Sequence, residues 1–594
     1  MIKPTPTEDL KIERRFADFS TLVDALEYAA QGERGFNFYS SRGELQVTAT
    51  FKDIRDRAHA IGKKLTGLGI KPQTRIALLA ETSLDFVCFF MGCQYASVLP
   101  VPLPLPTSFG GREGYIQQLS RQLETCHAYG VITPDSMYDI VKEGAQEHDI
   151  NFICNLDDFL ALDGADGEHH LPSPDDLSYL QYSSGSTRFP HGIAITHKSL
   201  LSNCHGNALF GMDMKKDDRC VSWLPFYHDM GLVGTVLTPI TCQLSVDFLS
   251  TEDFARRPMM WLSLISRNKG TLSYSPTFGY DICARRVGKN SMAELDLSSW
   301  RVAGIGGDMI RPDVMRNFAE TFDGVGFKPE NFCPSYGLAE CTLAVSFMPL
   351  STGIITDWVD ERILSGDLSG PETANPLNGH IISGKAINGD ARHHENVRYR
   401  EVVNCGVPLP EYELEIRTND GQILEDKEIG KIFLRGASVM RGYFNDIEST
   451  KSCLSHDGWL NTGDMGYMNN GSLFIIGRIK DMIIINGRNH WPQDIEWAAE
   501  QLPGIRNGDI AAVSLPGDNA EEVPAVLVHC RLRNEDDRRA FMDEVRNKIQ
   551  QDIGIQVRIE LLPPRSLPRT SSGKLSRAKA RAQFLSGGLQ AIPV

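Results

Sequence analysis

A chain of 594 residues, 41% hydrophobic and 23% charged, has the composition of a folded globular protein and not of a disordered one. Single cores rarely grow beyond roughly 250 to 300 residues, so this length implies two or more packed units. Lys plus Arg number 60 against 76 Asp plus Glu, a formal charge of −16 spread along the chain, which argues against nucleic acid as a partner and against broad adsorption to anionic lipid.

The opening Met1-Ile2-Lys3-Pro4-Thr5 runs into polar sequence with no apolar signal-peptide core, so a cytoplasmic location is expected. Thirteen Cys without a C-x-x-C pair suggest reduced core thiols, neither a disulfide framework nor a zinc site. Between Leu22 and Leu350, helical stretches alternate with short apolar runs such as Arg75-Ile76-Ala77-Leu78-Leu79 and Gly130-Val131-Ile132-Thr133, which predicts mostly parallel sheets covered by helices, an α/β fold. Residues 86–99 are apolar but shorter than the roughly 20 residues a membrane span needs, and they read as a buried helix, so stable membrane insertion is not expected. Pro100-Val101-Pro102-Leu103-Pro104-Leu105-Pro106 lacks the N–H groups of a central strand and reads as an extended crossing segment.

Residues 352–400 exchange periodic apolar positions for Gly, Asn, Asp, His and Pro, the mark of a long surface insertion, a functional loop or a small appended element. Residues 411–416 and 431–434 read as strands closing the large unit. A last unit begins near Asp481, with strands at 510–513 and 525–528 and a charged amphipathic helix over 536–552, a compact α+β domain. Near its end Arg565, Arg569, Lys574, Arg577, Lys579 and Arg581 form a basic cluster suited to a polyanion.

Five segments carry chemistry. Tyr182-Ser183-Ser184-Gly185-Ser186-Thr187-Arg188-Phe189-Pro190-His191-Gly192 sits between apolar runs and offers backbone N–H groups and hydroxyls together, as a phosphate cradle requires, though it is no Walker A loop. Tyr336-Gly337-Leu338-Ala339-Glu340 places a carboxylate after a glycine, and such a hard oxygen ligand suits Mg²⁺. Thr462-Gly463-Asp464 and Gly477-Arg478-Ile479-Lys480-Asp481 bring a carboxylate and a guanidinium close to the boundary between units, where Asp464 can accept hydrogen bonds from ribose hydroxyls. Pro568-Arg569-Thr570-Ser571-Ser572-Gly573-Lys574 sets one lysine on a Gly/Ser loop beyond the last strand.

In this order, over most of the chain, these motifs resemble the superfamily of acyl-CoA synthetases, peptide-synthetase adenylation domains and luciferases. The resemblance implies a large N-terminal domain over 1–479, built of two α/β sheet subdomains and a small β-rich one, and a smaller mobile C-terminal lid over 480–594. It implies ATP and Mg²⁺, with Ser183, Ser184, Gly185, Ser186 and Thr187 as the phosphate loop and Thr187 beside Glu340 at the metal. His228-Asp229-Met230 looks like the gate of an acyl tunnel, and Gly307, Asp308, Ser335, Tyr336, Gly337 and Leu338 resemble the adenine pocket. Asp464 and Arg478 match the ribose pair, Lys480 the hinge, and Lys574 the catalytic lysine, with Glu340 and His228 completing the catalytic set.

The Pro-rich stretch, Trp223-Leu224-Pro225, Ser275-Pro276-Thr277-Phe278-Gly279-Tyr280-Asp281, Asn489-His490-Trp491-Pro492-Gln493 and the 352–400 insertion resemble one branch more closely, the fatty acyl-AMP ligases. That branch activates a fatty acid and passes it to the phosphopantetheine of an acyl carrier protein or of a carrier domain in a polyketide or peptide synthase; its insertion packs toward the small domain and disfavours the CoA-using arrangement. Phe278 and Tyr280, with Ile282, are the candidates for lining the acyl tunnel. Three positions depart from the family pattern: His191 replaces a lysine, Arg188 a glycine, and Asp308 a glutamate. A conventional acyl-CoA ligase is the nearest rival reading, followed by an amino-acid-activating domain and a regulatory nucleotide-binding protein.

Overall fold

Short runs of mostly aromatic, aliphatic and small residues form the strands of a nine-stranded sheet. The computed structural model describes residues 2–8, 11–106, 111–183, 190–288, 292–364, 381–383, 393–394, 397–485, 488–517, 522–570 and 574–594. Six strands of this sheet, Gly35–Tyr39, Ser245–Leu249, Arg219–Ser222, Leu272–Ser275, Val302–Ile305 and Phe332–Gly337, run parallel; Leu45–Thr50, Ala344–Phe347 and Val407–Pro408 add antiparallel edges. Parallel strands need helical crossovers on both faces, which explains why Ser245–Leu249 and Val302–Ile305 are buried throughout.

A second, all-parallel sheet joins Leu99–Leu103, Arg75–Leu79, Gly130–Ile132 and Phe152–Cys154. The Pro-rich segment is therefore a strand and not only a crossing segment, but it lies at the edge. Pro100 and Pro102 alternate with residues that bond the neighbouring strand, so the missing N–H groups cost the ladder nothing. The apolar run before it forms the helix Leu84–Tyr95, opened by Ser83, whose side chain accepts from Phe86 N, and buried at every position except Asp85.

Tyr412–Arg417, Gly430–Gly436, Leu460–Asn469 and Ser472–Arg478 make an antiparallel sheet. The segment expected as a surface loop supplies a small sheet of its own, in which Thr356–Asp360 pairs with Ile381–Ser383 and with Val397–Val403. Val359, Ile363, Leu364 and Val402 bury against Tyr467, Phe474 and Ile476, and Trp491 joins the same cluster. The last unit has a three-stranded sheet of Ile510–Pro516, Glu522–His529 and Arg558–Leu562, with helices Pro492–Glu500, Glu535–Asp552 and Arg577–Leu585. Among the described residues no helix is long and apolar enough to cross a membrane.

Candidate active site

In open parallel sheets, ligands bind beyond the carboxyl ends of the strands. A cavity of about 530 Å³ opens there. Gly306 and Gly307 follow the strand Val302–Ile305, and Ser335, Tyr336 and Gly337 end the strand Phe332–Gly337; all five line the cavity, as does Leu338. Gly307 has a φ of 76°, a left-handed turn that glycine adopts without strain.

Glu340 sits in the one-turn helix Ala339–Cys341 on the cavity wall, and the Tyr443 hydroxyl donates to its Oε1 at 2.9 Å. Burial raises the Glu340 carboxyl above the ordinary range, against the pull of the Tyr443 hydrogen bond and of Arg478. Asp464 and Arg478 face each other across a hairpin, with Arg478 Nε 3.2 Å from Asp464 Oδ1, while the Tyr336 hydroxyl donates to Asp464 Oδ2 at 2.7 Å. The Asp464 carboxylate holds the Arg478 guanidinium firmly protonated, its pKa raised above that of a free arginine.

His228 Nδ1 lies 2.7 Å from Asp229 Oδ1, and the same oxygen accepts from Met230 N at 2.7 Å. Burial pushes the Asp229 carboxyl up, but His228, Lys574 and the Met230 N–H together hold it below the usual range. Lys574 reaches the cavity from the last unit, on the loop between Thr570 and the helix Arg577–Leu585; its backbone N–H donates to Thr570 Oγ1 at 3.1 Å. Burial lowers its pKa below that of a free lysine, opposed by Asp308, Asp229 and Asp464.

Ser183, His191, Lys480 and Lys574 thus line one cavity with His228, Glu340 and Arg478. Asp308 and Asp464 line an adjoining space of about 180 Å³, which also borders Gly307, Tyr336, Arg478 and Lys574. Ser184, Gly185, Ser186, Thr187 and Arg188 fall outside the described residues, so the metal role expected of Thr187 does as well. His191, the departure from lysine, is held by Asp446 at 3.1 Å and lies against the Tyr443 ring at 4.7 Å between centroids.

Two expected residues stand elsewhere. Tyr280 is fully buried among Trp261, Trp300 and Phe318 and donates to Gly304 O at 2.9 Å; Phe278 packs edge-on to Trp223. Neither lines the cavity, because their helix Thr277–Arg286 turns these rings into the aromatic core. The apolar wall comes instead from Met212, Met214, Leu244, Leu272, Leu343 and Phe347. The basic cluster near the C-terminus is also dispersed: Arg577 pairs with Glu496 and Asp481, Arg581 with Glu522, Arg569 donates to Gly508 O, and Lys574 enters the cavity.

Tyr443 and Asp446 escape sequence reasoning. Tyr443 belongs to a two-residue strand outside any motif, and Asp446 reads as the helix cap that it also is, accepting from Ser449 N. Oxygen chemistry at Glu340 suits Mg²⁺, which takes few protein ligands and keeps phosphates and water. No group of three or more His, Cys, Asp or Glu able to hold a metal stands together among the described residues.

The AMP-binding enzyme family profile matches residues 26–444. A Caulobacter vibrioides protein provisionally named an acyl-CoA synthetase is 43% identical over 590 residues, 99% of this chain and 98% of its own. The medium-chain-fatty-acid–[acyl-carrier-protein] ligase JamA of Moorena producens is 32% identical over 96% of each chain. Among solved structures, a chain from a study of fatty acyl-adenylate ligases of E. coli and L. pneumophila superimposes with a TM-score of 0.89 at 42% identity, covering 97% of this chain and 100% of that one.

Proposed function

Because this chain belongs to the AMP-binding enzymes, we propose that it is a fatty acyl-AMP ligase, which activates a fatty acid with ATP and hands the acyl group to a carrier-protein phosphopantetheine. The observation that carries this reading is one cavity that joins Lys574, Arg478, Glu340 and His228 to an apolar wall of Met212, Met214, Leu244 and Leu272. A carboxylate oxygen attacks the α-phosphorus of ATP, the bond to the bridging oxygen breaks, and pyrophosphate leaves with that electron pair. Charge grows on the phosphoryl oxygens in this step, and cations already fixed around them favour the transition state over the ground state.

In this reading Lys574 meets the developing charge, Asp464 accepts from the ribose hydroxyls with Arg478 keeping its carboxylate in place, and Gly307, Ser335, Tyr336, Gly337 and Leu338 wall the adenine. Asp308 neighbours the same space, and its negative charge opposes the lowering of the Lys574 pKa by burial. Ser183 and the loop through Ser184, Gly185, Ser186 and Thr187 take the phosphates. Glu340, with Thr187, would hold Mg²⁺, which supplies positive charge to the phosphate oxygens when bound. His228, oriented by Asp229, stands at the junction with the acyl wall. In the second step the phosphopantetheine thiol attacks the acyl carbonyl and AMP departs.

We place the break between the large domain and the mobile lid at Lys480, in the turn Ile479–Asp481. The cytoplasm is the compartment this reading requires, with ATP at hand; all thirteen cysteines are described, free, and buried apart from Cys453. The choice of carrier protein over CoA is supported by the inserted sheet, whose Arg400 lies 3.1 Å from Asp494 and under the Trp497 ring, tying large and small domains together. The name of the Caulobacter relative favours a second reading, a CoA ligase. Incubation with ATP, Mg²⁺, fatty acids of graded length and either CoA or holo acyl carrier protein decides: the proposal expects pyrophosphate release and acyl carrier protein thioester, and predominant acyl-CoA would overturn the acceptor.

A further inference from the structure

The acyl wall is not uniformly apolar. Two segments of π-helix, Asn207–Gly211 and Val233–Leu237, border the cavity, and each has a single polar side chain, Asn207 and Thr235 respectively. A π turn widens the helical ladder and re-aims side chains, and such turns cluster at functional sites. Both residues are among those that line the cavity.

Asn207 is 1% exposed, and its Oδ1 has no hydrogen-bond partner among the described residues. Its amide cannot simply be turned over. Asn203 Nδ2 is engaged by Ala344 O at 2.8 Å and Cys341 O at 3.3 Å, so Asn203 Oδ1 faces Asn207 and accepts from its Nδ2 at 3.2 Å. The unpaired end of Asn207 is therefore the acceptor. Thr235 donates its hydroxyl proton to Gly231 O at 2.7 Å, which leaves its oxygen also as an acceptor. A buried acceptor without a partner costs about 1 to 3 kcal/mol, and native proteins usually satisfy such groups.

We infer that the fatty acid this enzyme prefers carries a hydroxyl group on its acyl chain, donated to Asn207 Oδ1 beside Thr235. The inference rests on the fatty acid reading above. Two acceptors need a donor, so an oxo group is disfavoured. A protonated amine is disfavoured by the cost of burying a charge, since the carboxylates of the same cavity, Asp229 and Glu340, are already engaged by His228 and Tyr443. A hydroxyl supplies the donor without a charge.

The test measures pyrophosphate release by the full chain with ATP, Mg²⁺ and lauric acid, a panel of monohydroxylated lauric acids, or the matching oxo acids. At least one hydroxy acid is expected to exceed laurate in kcat/KM by about tenfold, with its oxo counterpart below laurate. Asn207→Leu should reverse the order of hydroxy acid and laurate, and Thr235→Val, which keeps the shape of the wall, should narrow the gap. Laurate preferred over every hydroxy acid, or a ratio unmoved by either variant, overturns the inference while the fatty acid reading stands. Turnover of none of these acids overturns both.

Discussion

Lys574 stands within van der Waals reach of Gly307: a Cβ placed on that glycine would lie 3.7 Å from the lysine Nζ and 2.7 Å from Met230 Sδ. The lysine loop of the last unit and the turn after the strand Val302–Ile305 therefore meet at one point of the cavity, though 267 positions separate the two residues (574 − 307). Gly307→Ala adds that methyl group to a backbone with φ of 76°, where a side chain costs roughly 1 to 2 kcal/mol. Adenylation should drop by about tenfold or more, read as pyrophosphate release, while melting temperature changes by only a few degrees. Unchanged kinetics would show that the meeting point lies outside the reacting groups.

Tyr443 tunes Glu340. Burial already raises the Glu340 carboxyl, and the Tyr443 hydroxyl opposes that rise. In the proposed reading Glu340 serves as a carboxylate, so activity on the acid side disappears as pH falls through its pKa. Tyr443→Phe removes the donor, and the acid limb of kcat/KM should move to higher pH by about one unit. An acid limb identical in both proteins would detach Tyr443 from this role.

Glu500 and Arg311 form a buried pair between the last unit and the large one, and Glu500 also accepts from Gly508 N at 2.9 Å. Burial lifts the Glu500 carboxyl to about 7, against the pull of Arg311 and Gly508 N. A folded-state pKa above the unfolded value of about 4.3 gives stability that is complete below that value and is lost as pH rises through about 7. Glu500→Gln keeps the shape and removes the titration. Plotted against pH between these two values, the difference in unfolding free energy between variant and wild type should change by up to about 3 kcal/mol. A flat difference would refute the assignment.

The parts legible in the sequence were those with local periodicity or an ordered motif. Arg75–Leu79 and the charged helix Glu535–Asp552 emerge close to their expected bounds, because a buried strand and an amphipathic helix write their periods directly into the chain. Glu340, Asp464, Arg478 and Lys574 could be singled out from their motifs, but not their approach to each other, which depends on sheet register and on the seating of the last unit. Aromatic residues carried the least information: Tyr280 belongs to the core and Tyr443 to the cavity, and nothing in their neighbours distinguishes them. The inserted sheet was illegible for another reason, since its strands pair across long polar connections.

Arg400 ties that sheet to the helix Pro492–Glu500 through Asp494, a carboxyl that burial raises and Arg400 lowers. Arg400→Ala leaves Asp494 buried without this partner and frees the small unit to turn. Acyl-CoA formed per acyl-AMP should rise by roughly tenfold, equivalent to about 1.4 kcal/mol. An acyl-CoA yield equal to that of the wild type would mean that the contact does not select the acceptor.

The most direct test of the whole account is the single-turnover release of pyrophosphate from ATP and a fatty acid, compared between the wild type and Lys574→Ala. Two unit charges about 4 Å apart interact by roughly 4 kcal/mol at an effective dielectric near 20, so the variant should be slower by about a thousandfold. It should melt no lower than the wild type, because burial disfavours the ammonium that the substitution removes. A variant as fast as the wild type, or a wild type that releases no pyrophosphate with any fatty acid, would contradict the account.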